Sequence, residues 1–464
     1  MIRLITTLII TLFAFISTIF AQEITGDWHG QLDVHGTKLR ISFHVIKTNI
    51  AYASTMDSPD QGAFGIPTDK TTYKNNNLFI TLKTIGVTFN GKLESDKIEG
   101  TFNQNGMDFP LTLSKEKIKK EAPKSRPQDP KEPYKYKSED VVFTNKKANN
   151  IQLAGTLTLP NEVKNPPVAI LISGSGPQNR NEEFLNHRPF LVISDYLTKN
   201  GIAVLRYDDR GVAKSEGTQK NATSADFATD VEAAYNYLLT RKDVSSKKIG
   251  LIGHSEGGFI APMVASKNKN IAFVILLAGT GVDGAEILRT QSKKALKFAK
   301  LDEEYINFND TMSKHVFNLI KTETDQKNRK ETIAAYLKKA RKNAPKTMLK
   351  ELTDENIKLQ VTKITSPWMS YFIRTNPKQF LKKVTCPVLA LNGSKDFQVV
   401  PKLNLNGIKT ALQNNKDVTI TELENLNHLF QNCKTGAVDE YAKLEETFSP
   451  KALKIMSDWI NKRF

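Results

Sequence analysis

The chain has 464 residues, 39% of them hydrophobic and 25% charged, and its formal net charge is +17 at pH 7. This length is too great for one ordinary hydrophobic core, so we expect two or three domains, and the apolar content is adequate for globular packing. The positive charge comes largely from lysines spread along the chain without a nucleic-acid-binding motif, so no nucleic-acid partner is expected. We interpret most of these lysines as solvated surface, which leaves open a weak association with an anionic envelope surface.

Residues 1–21 have the pattern of a secretory signal peptide. Arg3 supplies a positive charge, Leu4 to Phe20 is almost wholly apolar, and Ala21 is a small residue suited to cleavage. An uncleaved membrane anchor is the alternative, because the apolar run approaches the length of a membrane-spanning helix. The short positive region and Ala21 favour cleavage, so the sequence predicts an exported protein, either periplasmic or extracellular.

Residues 22–114 predict a small antiparallel β domain. Apolar and polar residues alternate in three runs, which is typical of strands with one buried face. The apolar positions are Leu39, Ile41, Phe43 and Val45, then Leu78, Ile80 and Leu82, then Phe109, Leu111 and Leu113. Asn105-Gly106 is a hairpin signal. The pattern fits a β-sandwich or a lipocalin-like barrel, and it leaves open whether this domain binds a ligand or has a structural role. Residues 115–134 contain four prolines among charges, which predicts an extended linker.

From residue 135 to residue 464, short apolar runs alternate with helical segments. Two antiparallel opening strands are expected near 141–143 and 151–157. The later strands are expected at 167–172, 202–207, 248–252, 271–278, 387–391 and 417–422, and helices at 188–199, 224–240, 256–267, 404–414 and 449–462. This alternation predicts an α/β fold, in which a mostly parallel sheet is covered by helices on both faces.

The interval at about 281–383 is far longer than one strand-to-strand crossover. It is Lys-rich and has the pattern of amphipathic helices, with Trp368, Met369, Tyr371 and Phe372 near its end. Because it leaves the sheet at the carboxyl end of a strand, we favour a helical cap over a pocket. An inert surface insertion is the alternative.

Gly253-His254-Ser255-Glu256-Gly257 follows a short aliphatic run and precedes a buried helix start. This strand–turn–helix context predicts a nucleophile elbow, in which Ser255 has a strained backbone and its hydroxyl lies at the carboxyl end of the sheet. The glycines let the strand and the helix approach each other closely. The alternative is a glycine-rich turn whose serine has no catalytic role. The candidate base and acid described next argue against it.

A serine hydroxyl needs a base, and the base needs an orienting carboxylate, which follow the serine in the order acid and then histidine. Among seven histidines, His428 is the one that follows a late strand near the C-terminus. Asp396 ends the turn after the preceding strand and is the candidate acid. A structural histidine and an ordinary turn aspartate are the alternatives, and the positions of both residues in the chain disfavour them.

The oxyanion hole needs two backbone N–H groups. One is expected from Glu256, directly after the nucleophile, and the second from the glycine-rich loop after strand 167–172. In that loop Ser175 is the first choice and Gly176 the second. A phosphate-binding loop is disfavoured, because the required Lys or hydroxyl pattern is missing.

Residues 135–464 resemble bacterial α/β-hydrolases of the serine carboxylesterase kind. The resemblance rests on five motifs: Ser173-Gly174-Ser175-Gly176-Pro177, Tyr207-Asp208-Asp209-Arg210-Gly211 with Ser215, the elbow at Ser255, Asn392-Gly393-Ser394-Lys395-Asp396, and Asn427-His428. It implies an α/β-hydrolase fold with a helical cap insertion beside the small N-terminal β domain. The first loop has Ser173 where these enzymes more often have histidine, so the resemblance alone does not specify the second oxyanion donor. Asp208, Asp209 and Arg210 are expected to form an ion-paired corner.

These residues predict an exported serine hydrolase that cleaves small-molecule carboxylic esters through an acyl-enzyme on Ser255, without any metal or cofactor. A serine peptidase or aminopeptidase of the prolyl-oligopeptidase type uses the same triad and is the first alternative, although the N-terminal region is too short for a propeller. A non-catalytic envelope binding protein is the second alternative.

Overall fold

The computed structural model of the chain describes residues 23–34, 37–49, 51–61, 63–104, 107–119 and 126–464. The chain divides into two compact units, Met1–Val34 with Lys38–Lys120, and His35–Thr37 with Glu121–Phe464. The expected signal peptide at 1–21 and the hairpin signal at Asn105-Gly106 lie outside the described residues. Within the described part of the chain, no helix is long and apolar enough to cross a membrane.

The N-terminal unit contains one antiparallel sheet. Its strands are β1 (Gly26–Val34), β2 (Thr37–Lys47), β3 (Tyr52–Ser58), β4 (Ala63–Pro67), β5 (Lys70–Lys74), β6 (Asn77–Leu82), β7 (Val87–Glu94), β8 (Lys97–Gln104) and β9 (Met107–Ser114). The strand order is β2-β1-β9-β8-β7-β6-β5-β3-β4, and β2 also pairs with β3. That last pairing closes eight strands into a barrel, so the small β domain is a barrel and not a sandwich.

The barrel core is made by alternate residues of its strands, as the sequence pattern predicted. Trp28, Phe43, Phe89 and Phe102 are among its buried side chains, and the Phe43 and Phe89 rings lie 5.5 Å apart. Strand closure removes most of the free edges that an open sheet of this length would expose.

The second unit contains an eight-stranded sheet. Its strands are β10 (Lys137–Asn145), β11 (Ile151–Leu159), β12 (Val168–Ile172), β13 (Ala203–Tyr207), β14 (Ile249–His254), β15 (Val274–Leu277), β16 (Val388–Gly393) and β17 (Val418–Leu423). The order is β10-β11-β13-β12-β14-β15-β16-β17. The β10–β11 and β11–β13 pairs are antiparallel and all later pairs are parallel. The predicted mostly parallel sheet is therefore confirmed.

The helices of this unit are α1 (Pro189–Lys199), α2 (Ser224–Thr240), α3 (Gly257–Ala265), α4 (Gly284–Phe298), α5 (Glu303–Thr322), α6 (Gln326–Ala340), α7 (Asp354–Ile364), α8 (Pro367–Arg374), α9 (Lys378–Leu381), α10 (Pro401–Ala411), α11 (Val438–Tyr441) and α12 (Pro450–Asn461). Helices α2, α3 and α10 pack on one face of the sheet, and α1 and α12 pack on the other. Successive residues of β12 enter the two separate cores, which explains why this strand is a continuous apolar run.

Helices α4 to α9 lie between β15 and β16 and form the predicted helical insertion. Its first three helices are N-capped by Asp283, Asp302 and Asp325, and each carboxylate accepts a backbone N–H of the first turn. The insertion has its own apolar cluster, which includes Tyr305, Ile320, Ile333, Met348 and Ile373.

Several predicted boundaries differ from the structure by a few residues, and those of β15 and α10 are two examples. Strand β15 covers only Val274–Leu277 and not 271–278, because the chain reaches the sheet later than its apolar run begins. Helix α10 begins at Pro401 and not at 404, since proline is well suited to the first helical turn.

The C-terminal part of the linker predicted at 115–134, from residue 126 onwards, is hydrogen-bonded to the second unit. The Arg126 guanidinium donates hydrogen bonds to the backbone carbonyls of Leu185, Ala442 and Leu444. Asp129 is buried nearby. These contacts fix residues 126–129 on the second unit.

Candidate active site

Ser255 lies at the sharp turn between β14 and α3. Its backbone has φ +53°, in the left-handed region that non-glycine residues rarely adopt. The Ser255 N–H donates to the carbonyl of Leu277 over 2.8 Å, which holds the turn against β15. A Cβ at Gly253 would overlap the Gly257 carbonyl, and a Cβ at Gly257 would overlap the Ile172 carbonyl. The two glycines therefore permit a strained turn in which Ser255 stays half-buried between buried neighbours.

The structure brings His428 and Asp396 together. His428 Nδ1 and Asp396 Oδ2 lie 2.8 Å apart, and both side chains are almost fully buried. The other Asp396 oxygen, Oδ1, accepts the backbone N–H groups of Gln398 and Val399 over 2.8 and 2.9 Å. A carboxylate held in this way can only accept a hydrogen bond from the imidazole, so His428 Nδ1 carries a proton.

His428 is also linked to the elbow. The ring of His254, the residue before Ser255, has its centroid 4.9 Å from the centroid of the His428 ring. His254 Nε2 lies 3.0 Å from the His428 carbonyl oxygen. Because β14, β16 and β17 are parallel, Ser255, Asp396 and His428 all follow the carboxyl ends of their strands at one edge of the sheet.

The glycine-rich loop after β12 is held at both of its ends. Ser173 Oγ donates to Asp209 Oδ1 over 2.7 Å, and the Gln178 N–H donates to Asp209 Oδ2 over 3.0 Å. Ser175 and Gly176 lie exposed between these points, and Gly176 has φ +96°. The loop and Glu256 line the same cavity. Of the two expected second donors, Gly176 lines this cavity with Glu256, and Ser175 directly precedes it in the loop.

The predicted corner of Asp208, Asp209 and Arg210 is ion-paired, but the three side chains do not pair with each other. Asp208 pairs with Arg180 over 2.8 Å, and Arg210 pairs with Asp230 over 2.7 Å. Asp209 instead clamps the glycine-rich loop. The sequence motif did not reveal these partners, because Arg180 and Asp230 lie in different segments of the chain.

The carboxyl group of Glu256 has a role that its position in the motif did not suggest. Its Oε1 accepts hydrogen bonds from Ser224 Oγ over 2.6 Å and from Trp368 Nε1 over 2.8 Å. Burial raises the pKa of Glu256, and these two donors counteract part of that effect. The helical insertion therefore contacts the residue directly after the candidate nucleophile.

A further residue at the site, Glu182, could not be found from the sequence, and the hydrogen bonds of Asp209 to the glycine-rich loop were not predicted either. Glu182 accepts a hydrogen bond from the Gly174 N–H over 2.6 Å and contacts His254 Nδ1 at 2.8 Å. Glu182 lies in an irregular loop without periodicity, so no local signal marks it. Within the described residues, no group of three or more His, Cys, Asp or Glu side chains could hold a metal ion.

The carboxyl group of Asp209, which binds the glycine-rich loop, makes the stability of the protein depend on pH. Burial raises the pKa of its carboxyl to about 8, against the hydrogen bonds from Ser173 and Gln178. An aspartate in an unfolded chain ionises near pH ~4, so the neutral folded carboxyl stabilises the protein below that pH and this contribution is lost as the pH rises to about 8.

We therefore expect Asp209→Asn, which stays neutral at every pH, to gain stability relative to the wild type as the pH rises. The quantity to measure is the free energy of unfolding of the variant minus that of the wild type. Urea unfolding should show that this difference is larger at about pH 8.5 than at about pH 5, by more than about 1 kcal/mol. Asp439→Asn, a change of an exposed aspartate, is the control. A difference between Asp209→Asn and the wild type that stays constant with pH would contradict the assignment.

Comparison with known proteins supports the α/β-hydrolase class. Residues 130–406 match the X-Pro dipeptidyl-peptidase (S15) family. Esterase EstD of Thermotoga maritima is 26% identical over 282 residues, which are 60% of this chain and 58% of that protein. The chain thus spans little more than half the length of this curated relative.

Solved structures of esterases are also similar to this chain. Pf2001 of Pyrococcus furiosus has a TM-score of 0.43 and 16% identity, with 71% of this chain and 91% of that chain covered. Est1E of Butyrivibrio proteoclasticus has a TM-score of 0.41 and 17% identity, with 70% and 98% covered. Because the family match spans more than half of the sequence, the chain belongs to the X-Pro dipeptidyl-peptidase (S15) family and is an α/β-hydrolase.

Proposed function

We propose that this protein is an exported serine hydrolase that cleaves small-molecule carboxylic esters through an acyl-enzyme on Ser255. The observation that carries the proposal is the hydrogen-bonded pair of His428 and Asp396 at the same sheet edge as the strained elbow. With its Nδ1 proton donated to Asp396, the His428 ring has its Nε2 free to accept a proton. This is the protonation state that a general base needs.

In the proposed reaction, His428 takes the Ser255 proton while the serine oxygen attacks the ester carbonyl carbon. The oxyanion is stabilised by the backbone N–H of Glu256 and by that of Ser175 or Gly176. His428 then donates its proton to the leaving alcohol. A water molecule, deprotonated by His428, hydrolyses the acyl-enzyme and restores the free serine. No step requires a metal or a cofactor.

Peptide hydrolysis is the second candidate, because the family is that of X-Pro dipeptidyl-peptidases. The same triad can attack an amide, so the triad does not separate the two activities. We favour esters because the curated relative is an esterase and because the amine-binding acidic pair of an aminopeptidase is not recognisable in the sequence. Parallel kcat/KM measurements on short aryl esters and on Xaa-Pro anilides distinguish the two substrate classes.

We further propose that the insertion at 281–383 is a cap that determines which acyl groups are accepted. Trp368 on α8 donates to Glu256, and its ring stacks on Phe372 with centroids 5.7 Å apart. Phe372 is buried and packs on Phe259 of α3, so it belongs to the core that seats the insertion. Trp368 is only half-buried and is the better candidate for an acyl-binding wall.

The first prediction concerns the triad. Ser255→Ala should lower kcat for a short-chain aryl ester by several orders of magnitude, and His428→Ala should be nearly as damaging, since triad members act as a unit. Asp396→Asn should be less damaging, because part of the imidazole orientation survives. The His29→Gln variant, which changes a histidine of the β-barrel, is the control. Retention of more than a few per cent of activity in Ser255→Ala would show that another residue is the nucleophile.

The second prediction concerns acyl preference. Trp368→Ala should change the ratio of activity on octanoyl and acetyl esters by roughly tenfold, because an apolar wall contributes more to a longer chain. Trp368→Phe keeps an aromatic wall without the Nε1–H donor and should retain most of the preference. Leu349→Ala, at an exposed site in the insertion, is the control. An unchanged chain-length profile in Trp368→Ala would exclude this wall.

The third prediction concerns export. If residues 1–21 are a cleaved signal peptide, the mature protein should begin at Gln22, because signal peptidase requires a small residue before the cut. N-terminal sequencing of the protein from the envelope or the medium measures this directly. Ala21→Trp should block the cut and leave the longer chain. A mature wild-type protein that still begins with the apolar segment would favour the anchor.

A further inference from the structure

Glu182 and His254 form a second carboxylate–histidine pair beside the candidate triad. Glu182 Oε1 and His254 Nδ1 lie 2.8 Å apart, and the His254 ring is buried. The same Glu182 oxygen accepts the Gly174 N–H over 2.6 Å, and His254 Nε2 lies 3.0 Å from the His428 carbonyl oxygen. One carboxylate oxygen and one ring thus join the glycine-rich loop, the elbow and the His428 loop.

The partners of His254 determine its protons. A backbone carbonyl can only accept, so Nε2 carries a proton. The Glu182 oxygen accepts when it is ionised, so Nδ1 carries a proton too, and the ring is an imidazolium. Burial is the largest single influence and lowers the pKa of His254, but Glu182, the His428 carbonyl and Asp396 together outweigh it, so the net effect raises this pKa. The charged groups around the ring are Glu182, Asp396 and His428 when protonated.

We propose that Glu182 and His254 are positioning residues, a role that rests on the proposed function. They hold the glycine-rich loop and the general base His428 in position relative to Ser255. His428 is fixed twice, through its ring by Asp396 and through its carbonyl by His254. Gly174 is fixed by Glu182 just before the expected oxyanion donors. Without the pair, the backbone of the two loops loses its common anchor while the three catalytic side chains remain present.

The consequence is a loss of rate more than a loss of binding. A displacement of about 1 Å between reacting groups can cost about a hundredfold in rate. Neither Glu182 nor His254 is expected to touch the acyl chain or the alcohol, because both side chains are buried and are hydrogen-bonded to protein groups. The pair should therefore affect kcat strongly and KM weakly.

The test compares Glu182→Gln, His254→Phe and the conservative His254→Gln, whose amide can still donate to the His428 carbonyl. Kinetics on a short aryl ester are expressed per serine that reacts with a fluorophosphonate, so unfolded protein is not counted. Glu182→Gln and His254→Phe should lower kcat roughly tenfold to a hundredfold. KM should change by less than about threefold, and His254→Gln should recover part of the lost rate. His29→Gln, which changes another buried histidine, should leave kcat unchanged.

A kcat within about twofold of the wild type in Glu182→Gln, or an equal loss in His254→Gln and His254→Phe, would overturn the positioning role. If His254→Phe does not fold, Glu182→Gln and His254→Gln still decide the question. Spectra of ¹⁵N-histidine-labelled protein give an independent readout. At about pH 7.5, where free imidazole is mostly neutral, both His254 nitrogens should carry protons in the wild type, and one should lose its proton in Glu182→Gln. A wild-type ring with one bare nitrogen would overturn the charged pair.

The two proposals fail in different ways. If the wild-type protein neither hydrolyses esters nor reacts with the fluorophosphonate, the proposed function is wrong, whatever the spectra of His254 show. If the wild type is active and Glu182→Gln is equally active, only the positioning role is wrong.

Discussion

The close crossing of β14 and α3 is the constraint on which the candidate site depends. The backbone carbonyls of Gly257 and Ile172 occupy the space that a Cβ at Gly253 or Gly257 would need. Ser255 can keep its left-handed backbone only because Gly253 and Gly257 lack a side chain, and because its N–H donates to the Leu277 carbonyl. Any larger residue at either glycine would separate the strand from the helix and move the serine hydroxyl away from the sheet edge.

The parallel sheet brings further side chains to the same edge as this strained residue. Asp396 and His428 follow β16 and β17, which lie in the same sheet as β14, so the three side chains need no long flexible segment to meet. The loop after β12 ends at the same edge and is held by Asp209 and Glu182. Buried carboxyl groups thus fix the backbone around the serine, where charge would develop during acyl transfer.

The parts that the sequence predicted correctly are those with a local signal. The alternation of strands and helices predicted the parallel sheet, and Gly253 to Gly257 predicted the elbow. The structure also pairs His428 with Asp396, which chain order and strand ends had singled out, and their catalytic roles stay predictions. Closure of the barrel was not predictable, because it depends on the β2–β3 pairing and not on the alternation that a sandwich shares.

The interactions that the sequence did not predict join distant segments. Glu182 and His254 are 72 residues apart, and Trp368 and Glu256 are 112 residues apart. No local pattern reveals these two pairings, because only the tertiary fold brings the partners together. The Trp368–Glu256 hydrogen bond also ties the helical insertion to the elbow, which gives the insertion a physical route to influence the reaction.

The central claim is that an ester substrate acylates Ser255. The most direct measurement is the intact mass of the protein after brief reaction with a slowly hydrolysed aryl ester, followed by peptide mapping. The wild type should gain the mass of one acyl group, located on the peptide that contains Ser255, and Ser255→Ala should gain none. Ester turnover with Ser255 unmodified, or an acyl group on another residue, would contradict the claim.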